Sequence, residues 1–360
     1  MKARTTQLPV PSSFADKPHQ VDVFTLLSDW HRLTLGGLFL IAGLPFGSPP
    51  IMRLTSIAFV LLGILGGSNF IYMKWATALI NPTQVAFLRV LFGFLPLALA
   101  AWHQRAITRQ QLRLLPHFLV MAAGATAFYF IAIIKGTSVL PSGIAGVLAG
   151  AIAPFTAIFS PLFLRSEKFN GMMGAGVVIG FAGIVLIARP WDGANGAIDL
   201  AGVSWLIASS MILGLSYIYV RRFLSTANLP PLALATWQMG LALVILYFLT
   251  DFTGVRRVFA DWRATIGLVI GLGIMGTGIA FLLYYYLLDK LGAVASSSSN
   301  YLAPAVALLI GWLIGERFGL LEMTAIALIF VSIVLLQFGQ QRATTVSLLA
   351  QVEGGPSTAG

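Results

Sequence analysis

The 360-residue chain contains no cysteine, which excludes disulfides, thiol chemistry and thiolate-bound metals but says little about compartment. Charge is almost as scarce. Asp, Glu, Lys and Arg make up 9% of residues, where a soluble chain carries roughly a quarter. So few charges cannot cover a globular surface in water. The 12 carboxylates lie outside the middles of the apolar runs, with Asp289 and Glu322 at run ends. The intramembrane carboxylate relay that couples many carriers to ions is therefore missing. Of the four histidines only His117 touches an apolar run, and no metal-ligand spacing, nucleotide loop or nucleophile–base pair occurs. An enzyme is not expected, nor is a cofactor or a metal.

What is there resembles hydrocarbon: 58% apolar residues and a mean hydropathy of +0.89. About 20 apolar residues make one spanning helix. By that ruler the chain holds ten spans, at 54–73, 83–102, 114–134, 141–163, 170–188, 200–220, 231–250, 265–287, 291–314 and 320–339. Runs this long are helices, because a barrel strand needs only half the length. Residues 1–50 stand apart. They are polar and proline-bearing, with a short apolar piece, "LTLGGLFLIAGLPFG", that suits an interfacial segment or a signal-like core. Met52 is an alternative start. Residues 341–360 read as a disordered tail.

The net charge of +10 comes mostly from loop lysines and arginines. In an apolar chain such charge orients the protein in its membrane rather than binding nucleic acid. Basic residues are in excess on the side of the amino end (Arg105, Arg109, Arg113, Arg165, Lys168, Arg221, Arg222), so both termini are expected in the cytoplasm. The margin narrows if Met52 is the start. The expected location is a plasma membrane, that of a bacterium for preference.

Two halves of the chain match. "SEKFNGMMGAGVVIGFAGIVLIA" (166–188) lies over "GERFGLLEMTAIALIFVSIVLLQ" (315–337), "AIAPF" over "YLAPA", and "NFIYMKW" over "SYIYVRR". The order is the same in both copies. Each unit has five spans, an odd number, so the second copy enters the membrane from the opposite side. Inverted repeats are an architecture of secondary transporters, which bind substrate near mid-membrane at the repeat interface.

The stretches "LLGILGGSNFIYMKWA", "PTQVAFLRVLFGFLPLALA", "GVLAGAIAPFTAIFSPLFLRSEKF" and "LDKLGAVASSSSNYLAPAVALLIGWLIGERF" resemble the drug/metabolite transporter superfamily, specifically its EamA-type members. The resemblance covers 54–340, with a first repeat at 54–188 and a second at 200–340. It implies an all-α integral membrane protein of ten helices in two inverted five-helix repeats around a central cavity, and export of small metabolites or amino acids. The Leu-Gly-Glu-Arg-like turn of the family persists in "IGERF", while "LRSEKF" has Ser166 in place of the glycine. Residues 1–50 have no family counterpart.

Several polar groups inside spans are candidates for substrate contact. Arg89 is the one firm charge within a span; such a charge costs ~3 kcal/mol on insertion scales and must face protein or water. It either receives a substrate carboxylate with its planar fork, or snorkels or bonds a carbonyl. Gln238 occupies the equivalent place in the second half. Ser296, Ser299 and Asn300 share one helix face, and either line a cavity or let helices approach closely. Asn69, Tyr72, Tyr129, Trp205, Tyr217 and Trp237 complete the candidate set, the aromatic ones by stacking and hydrogen bonding, with packing or an interfacial belt as the alternative. Pro154 and Pro304 cannot bond the carbonyls four residues back, at Gly150 and Asn300, and mark hinges. Glu167 and Glu316 sit at connection turns, as caps or surface ion pairs or as gates.

These residues point to a carrier that exports small metabolites, amino acids or derivatives first among them, by alternating access. A broad-specificity drug or cation efflux carrier is the alternative, followed by a non-transporting sensor or scaffold. The expected partners are the lipid bilayer and a small-molecule substrate, with no nucleic acid; neither a coupling ion nor an oligomeric state is assigned.

Overall fold

The computed structural model describes residues 50–163, 170–191, 198–224, 227, 229–297, 299 and 302–353, with backbone alone at 50–53, 289, 291–297 and 340–353. Among these residues nine helices are long and apolar enough to cross a membrane, and a shorter one, Leu302–Leu313, accompanies them. The chain is a polytopic all-α membrane protein. Its helices are α1 (Pro50–Thr77), α2 (Pro82–His103), α3 (Arg109–Val139), α4 (Ser142–Ala149), α5 (Ile152–Phe163) and α6 (Gly171–Ala188). The second set is α7 (Leu200–Leu224), α8 (Pro231–Leu249), α9 (the span Trp262–Leu288), α10 (Leu302–Leu313) and α11 (Leu320–Glu353).

Local chemistry starts these helices where the sequence allows. Asn81 and Gln84 form a reciprocal capping box ahead of α2, with Pro82 at its first turn, where a missing N–H costs nothing. Asn170, Asp199 and Asp261 accept from the first free amides of α6, α7 and α9.

The fourth expected span is two helices. It breaks at Gly150 and Ala151, directly before Pro154, as does the ninth, which stops at Ser297 and resumes at Leu302, before Pro304. The carbonyl of Gly150, expected to be loose, is not: Ala153 N donates to it at 3.3 Å. Tightening the turn to i→i+3 supplies a donor that proline removed at i+4. Asn300 lies outside the described residues.

Two other expectations are corrected. The break expected at 288–290 is absent, because the helix Ala280–Ser297 runs through it. In the first half the matching junction carries Pro141, and the helix ends at Val139 before it. "LDKLGAVA" has no proline, and Gly292 weakens a helix without ending it. Likewise α11 continues to Glu353, so residues 341–353 of the expected tail are helical; "QRATTVSLLAQVE" contains neither proline nor glycine.

The main packing is kept when the halves are exchanged. Helix α2 packs on α9 and α8 on α3; α3 packs on α7 and α9 on α1; α5 packs on α7 and α10 on α1. The contacts of α2 with α8, α6 with α11 and α4 with α10 map onto themselves, while α5 also touches α6 and α11. Two units of five spans related in this way lie antiparallel. The close contacts depend on glycine. A Cβ on Gly67 of α1 would lie 2.5 Å from Val306 Cβ and 2.6 Å from the Ala303 carbonyl of α10. Without a hydrophobic force between helices in lipid, such close approach is what holds spans together.

Gly67→Ala is expected to cost about 1–3 kcal/mol by overpacking, read as a lower thermal unfolding midpoint in detergent. An unchanged midpoint would show that α1 and α10 are not packed this closely.

Candidate functional site

Four of the expected residues converge where α1, α2 and α3 meet α9. The relevant stretch of α9, Gly267–Ile279, is π-helical, and so is Ala122–Phe128 at the matching place in α3. Extended π-helix is rare and tends to mark function. The glycines of α9 admit neighbours where a side chain would clash: the Tyr72 ring covers Gly271, and the Asn69 amide lies against Gly276. Asn69 Nδ2 donates to the Gly276 carbonyl at 3.2 Å. Its Oδ1 is buried with no hydrogen-bond partner among the described residues.

Arg89 of α2 is 6% exposed. Its Nε donates to Thr277 Oγ1 at 3.0 Å, its Nη1 meets the Met73 sulfur at 3.7 Å, and the guanidinium lies 4.1 Å above the Phe130 ring. Tyr129 lies within electrostatic reach. Among the described residues no carboxylate pairs with Arg89; the ion pair found there is Arg189–Glu322 at 2.9 Å, at the ends of α6 and α11. A cation over an aromatic face gains about 0.5–2 kcal/mol, which leaves much of the cost of a buried charge uncompensated.

Thr277 is the residue that the sequence reading missed. Its hydroxyl donates to the Leu272 carbonyl, five residues back, at 2.9 Å. A hydroxyl has one proton, so the lone pairs of Oγ1 are what remain for Arg89. The widened helix thus fixes Thr277 as an acceptor and orients the guanidinium through Nε. The second half repeats the arrangement without charge: Gln238 Nε2 of α8 donates to Thr126 Oγ1, in the π-helical turn of α3, at 2.7 Å. "GATAF" over "MGTGI" aligns the two threonines within the repeat, at an offset two residues longer than that of Arg89 and Gln238, which was the available signal.

The other candidates lie elsewhere. Trp205 carries the Lys135 ammonium 4.4 Å above its ring. Trp237 donates to Gln111 Oε1 at 2.9 Å and stacks on Phe118, which ties it to the connection between α2 and α3. Tyr217 is 49% exposed, facing away from the cluster around Phe130 and Met73. Ser299 is buried. The side chain of Ser296, all of Asn300 and all of Glu167 lie outside what the structure describes. Glu316 is a cap: Oε1 accepts from Ser142 N at 2.6 Å and Ser142 Oγ at 2.8 Å, and Oε2 from Gly143 N at 2.9 Å. It joins the turn after α10 to the start of α4, one half to the other. Lys74, which donates to the Leu140 carbonyl, adds a positive charge beside it.

A family model described as the EamA-like transporter family matches the chain twice, over residues 53–189 and 200–338. An uncharacterized transporter of Archaeoglobus fulgidus is 26% identical over 246 residues, covering 68% of this chain and 84% of that protein. The uncharacterized transporter YdfC of Bacillus subtilis is 27% identical over 240 residues, 66% of this chain and 75% of its own. The uncharacterized inner membrane transporter YedA of Escherichia coli is 28% identical over 204 residues, 56% and 63% of the two chains. One solved crystal structure aligns with a TM-score of 0.52 at 21% identity, over 80% of this chain and 98% of that one; this is a likeness of fold.

Removing the threonine acceptors should distinguish the two halves. Thr277→Val strands a donor on a charged group and is expected to cost about 1.5–3 kcal/mol, against about 0.5–1.5 for Thr126→Val opposite a neutral amide. Thermal unfolding of both in detergent, with Thr277→Ser close to the parent, checks the order; equal losses would deny Thr277 its role in holding the charge.

Proposed function

Since this chain belongs to the EamA-like transporter family, we propose that it carries small metabolites bearing a carboxylate, amino acids or their derivatives first among them, outward by alternating access. The observation behind this reading is the buried Arg89 guanidinium, which has no carboxylate partner among the described residues. A substrate carboxylate would accept from its free edge, while Thr277 holds Nε. The unpartnered Asn69 Oδ1, whose amide is bonded to Gly276 next to Thr277, would accept from a substrate ammonium group. A lipophilic cation would meet the Arg89 charge with nothing to offset it.

Exchange between inward- and outward-open forms is supported by main packing contacts that are kept when the halves are swapped. The breaks ahead of Pro154 and Pro304 serve as hinges. Glu316 serves as a gate, holding one end shut through its bonds to Ser142 and Gly143. With cytoplasmic termini that end faces outward, as expected from the basic residues at the other end. The reading places the protein in a bacterial inner membrane, the location in the name of the YedA relative.

Counterflow of labelled amino acids in proteoliposomes, run against a panel of organic cations, tests this. Amino-acid exchange is expected, and Arg89→Ala should lower it about a hundredfold, the scale of ~3 kcal/mol for truncating one side of a buried charge pair, with the protein still inserted. Flux of cations alone, or undiminished amino-acid flux in the variant, refutes the reading.

A further inference from the structure

A second polar place lies just past the carboxyl end of α2, the helix that carries Arg89 nearer its start. An open cleft of ≈ 450 Å³ lies between the connection from α2 to α3 and the residues ahead of α8. Gln104, Arg105, Thr108 and Gln110 bring donors to its walls, Leu229 and Pro230 give it an apolar side, and no lining residue is acidic.

The backbone of Arg105 draws attention to its side chain. Its φ is 49°, in the left-handed region that favours glycine. The chain reaches it in a helix-ending turn: Ala106 N bonds the Ala101 carbonyl at 2.9 Å and Arg105 N the Trp102 carbonyl at 3.1 Å. Glycine would fit here without strain. Among the described residues the other non-glycine residue with positive φ is also an arginine at a helix end, Arg189, and its guanidinium pairs with Glu322 at 2.9 Å. Arg105 has the same strained cap but no carboxylate partner among the described residues.

The cleft is also preformed. The Gln111 amide accepts from Thr108 N and Trp237 Nε1 and donates to the Ala106 carbonyl, which pins the connection in place. Trp102, 79% exposed one turn before Arg105, has the amphipathic ring that sits at headgroup depth. The two connections supply Arg105, Arg109 and Arg113 on one side and follow Arg221 and Arg222 on the other, with no Asp or Glu between 103–114 or 219–231.

We propose that this cleft binds a phosphate diester, the headgroup of an anionic phospholipid, with Arg105 and the amide donors on the phosphate and Leu229 and Pro230 against the glycerol. Basic sites between spans at a membrane surface take anionic headgroups in this way. The site is separate from the one that carries substrate.

The test is retention of phosphatidylglycerol by native mass spectrometry of the full chain, with inorganic phosphate and glycerol phosphate as soluble competitors. Arg105→Gly should lower retention about fivefold without lowering the thermal unfolding midpoint, since the strained cap is relieved; Arg105→Lys should keep part of it. Soluble phosphate esters should compete only at far higher concentration. Equal retention by Arg105→Gly would overturn the site, as would equal retention of phosphatidylcholine. Competition by soluble phosphate at the lipid's own concentration would overturn the lipid as its occupant.

Discussion

A backbone in hydrocarbon has no water to turn to, so every carbonyl released by an irregularity must be taken up by another part of the protein. That constraint connects the polar features of this chain. The π-helical stretch of α9 offers the Gly276 carbonyl to Asn69 and the Leu272 carbonyl to Thr277. The helix end at Leu140 is met by Lys74, the one at Phe163 by Arg222, and the break before Pro154 by Ala153. Residues that read as ligand contacts or charge anchors in the sequence thus serve the backbone as well. What they leave over is the Oδ1 of Asn69, buried with no hydrogen-bond partner among the described residues.

The halves are alike in packing and unlike in charge. Each sets a polar residue of its second span against a threonine in the π-helical turn of the other half, Arg89 with Thr277 and Gln238 with Thr126. The frame is shared because swapping the halves must return the same contacts. The charge is not shared, because a second buried guanidinium would repel the first and add its own desolvation cost. The buried positive charge therefore lies on one side of the pseudo-axis only.

The matched repeats were legible because a motif such as "AIAPF" or "IGERF" keeps its order along the chain, and Pro154 and Pro304 stood out as a matched pair, whereas Pro96 and Pro161 lie inside unbroken helices. The gain of a donor at Gly150 was not legible: it depends on how tightly the turn before the proline winds. Arg89 stood out as a lone charge, but Thr277 was hidden among glycines. A threonine in an apolar run reads as packing until the carbonyl beside it is known to be free. Trp205 and Trp237 had the right chemistry for a ligand and proved to be engaged by Lys135 and Gln111, partners distant in sequence.

By itself the sequence determined that this chain spans a membrane in apolar helices and that it does so in two related units. These follow from composition, run length and matched motifs, properties of a segment that hold whatever its neighbours are. The tertiary structure alone decided which polar groups meet, that Glu316 bonds across the halves, and that Arg89 is held by a threonine from the opposite repeat. Helical periodicity assigns a side chain to a face, while the neighbour on that face is set by how closely glycine lets the spans approach.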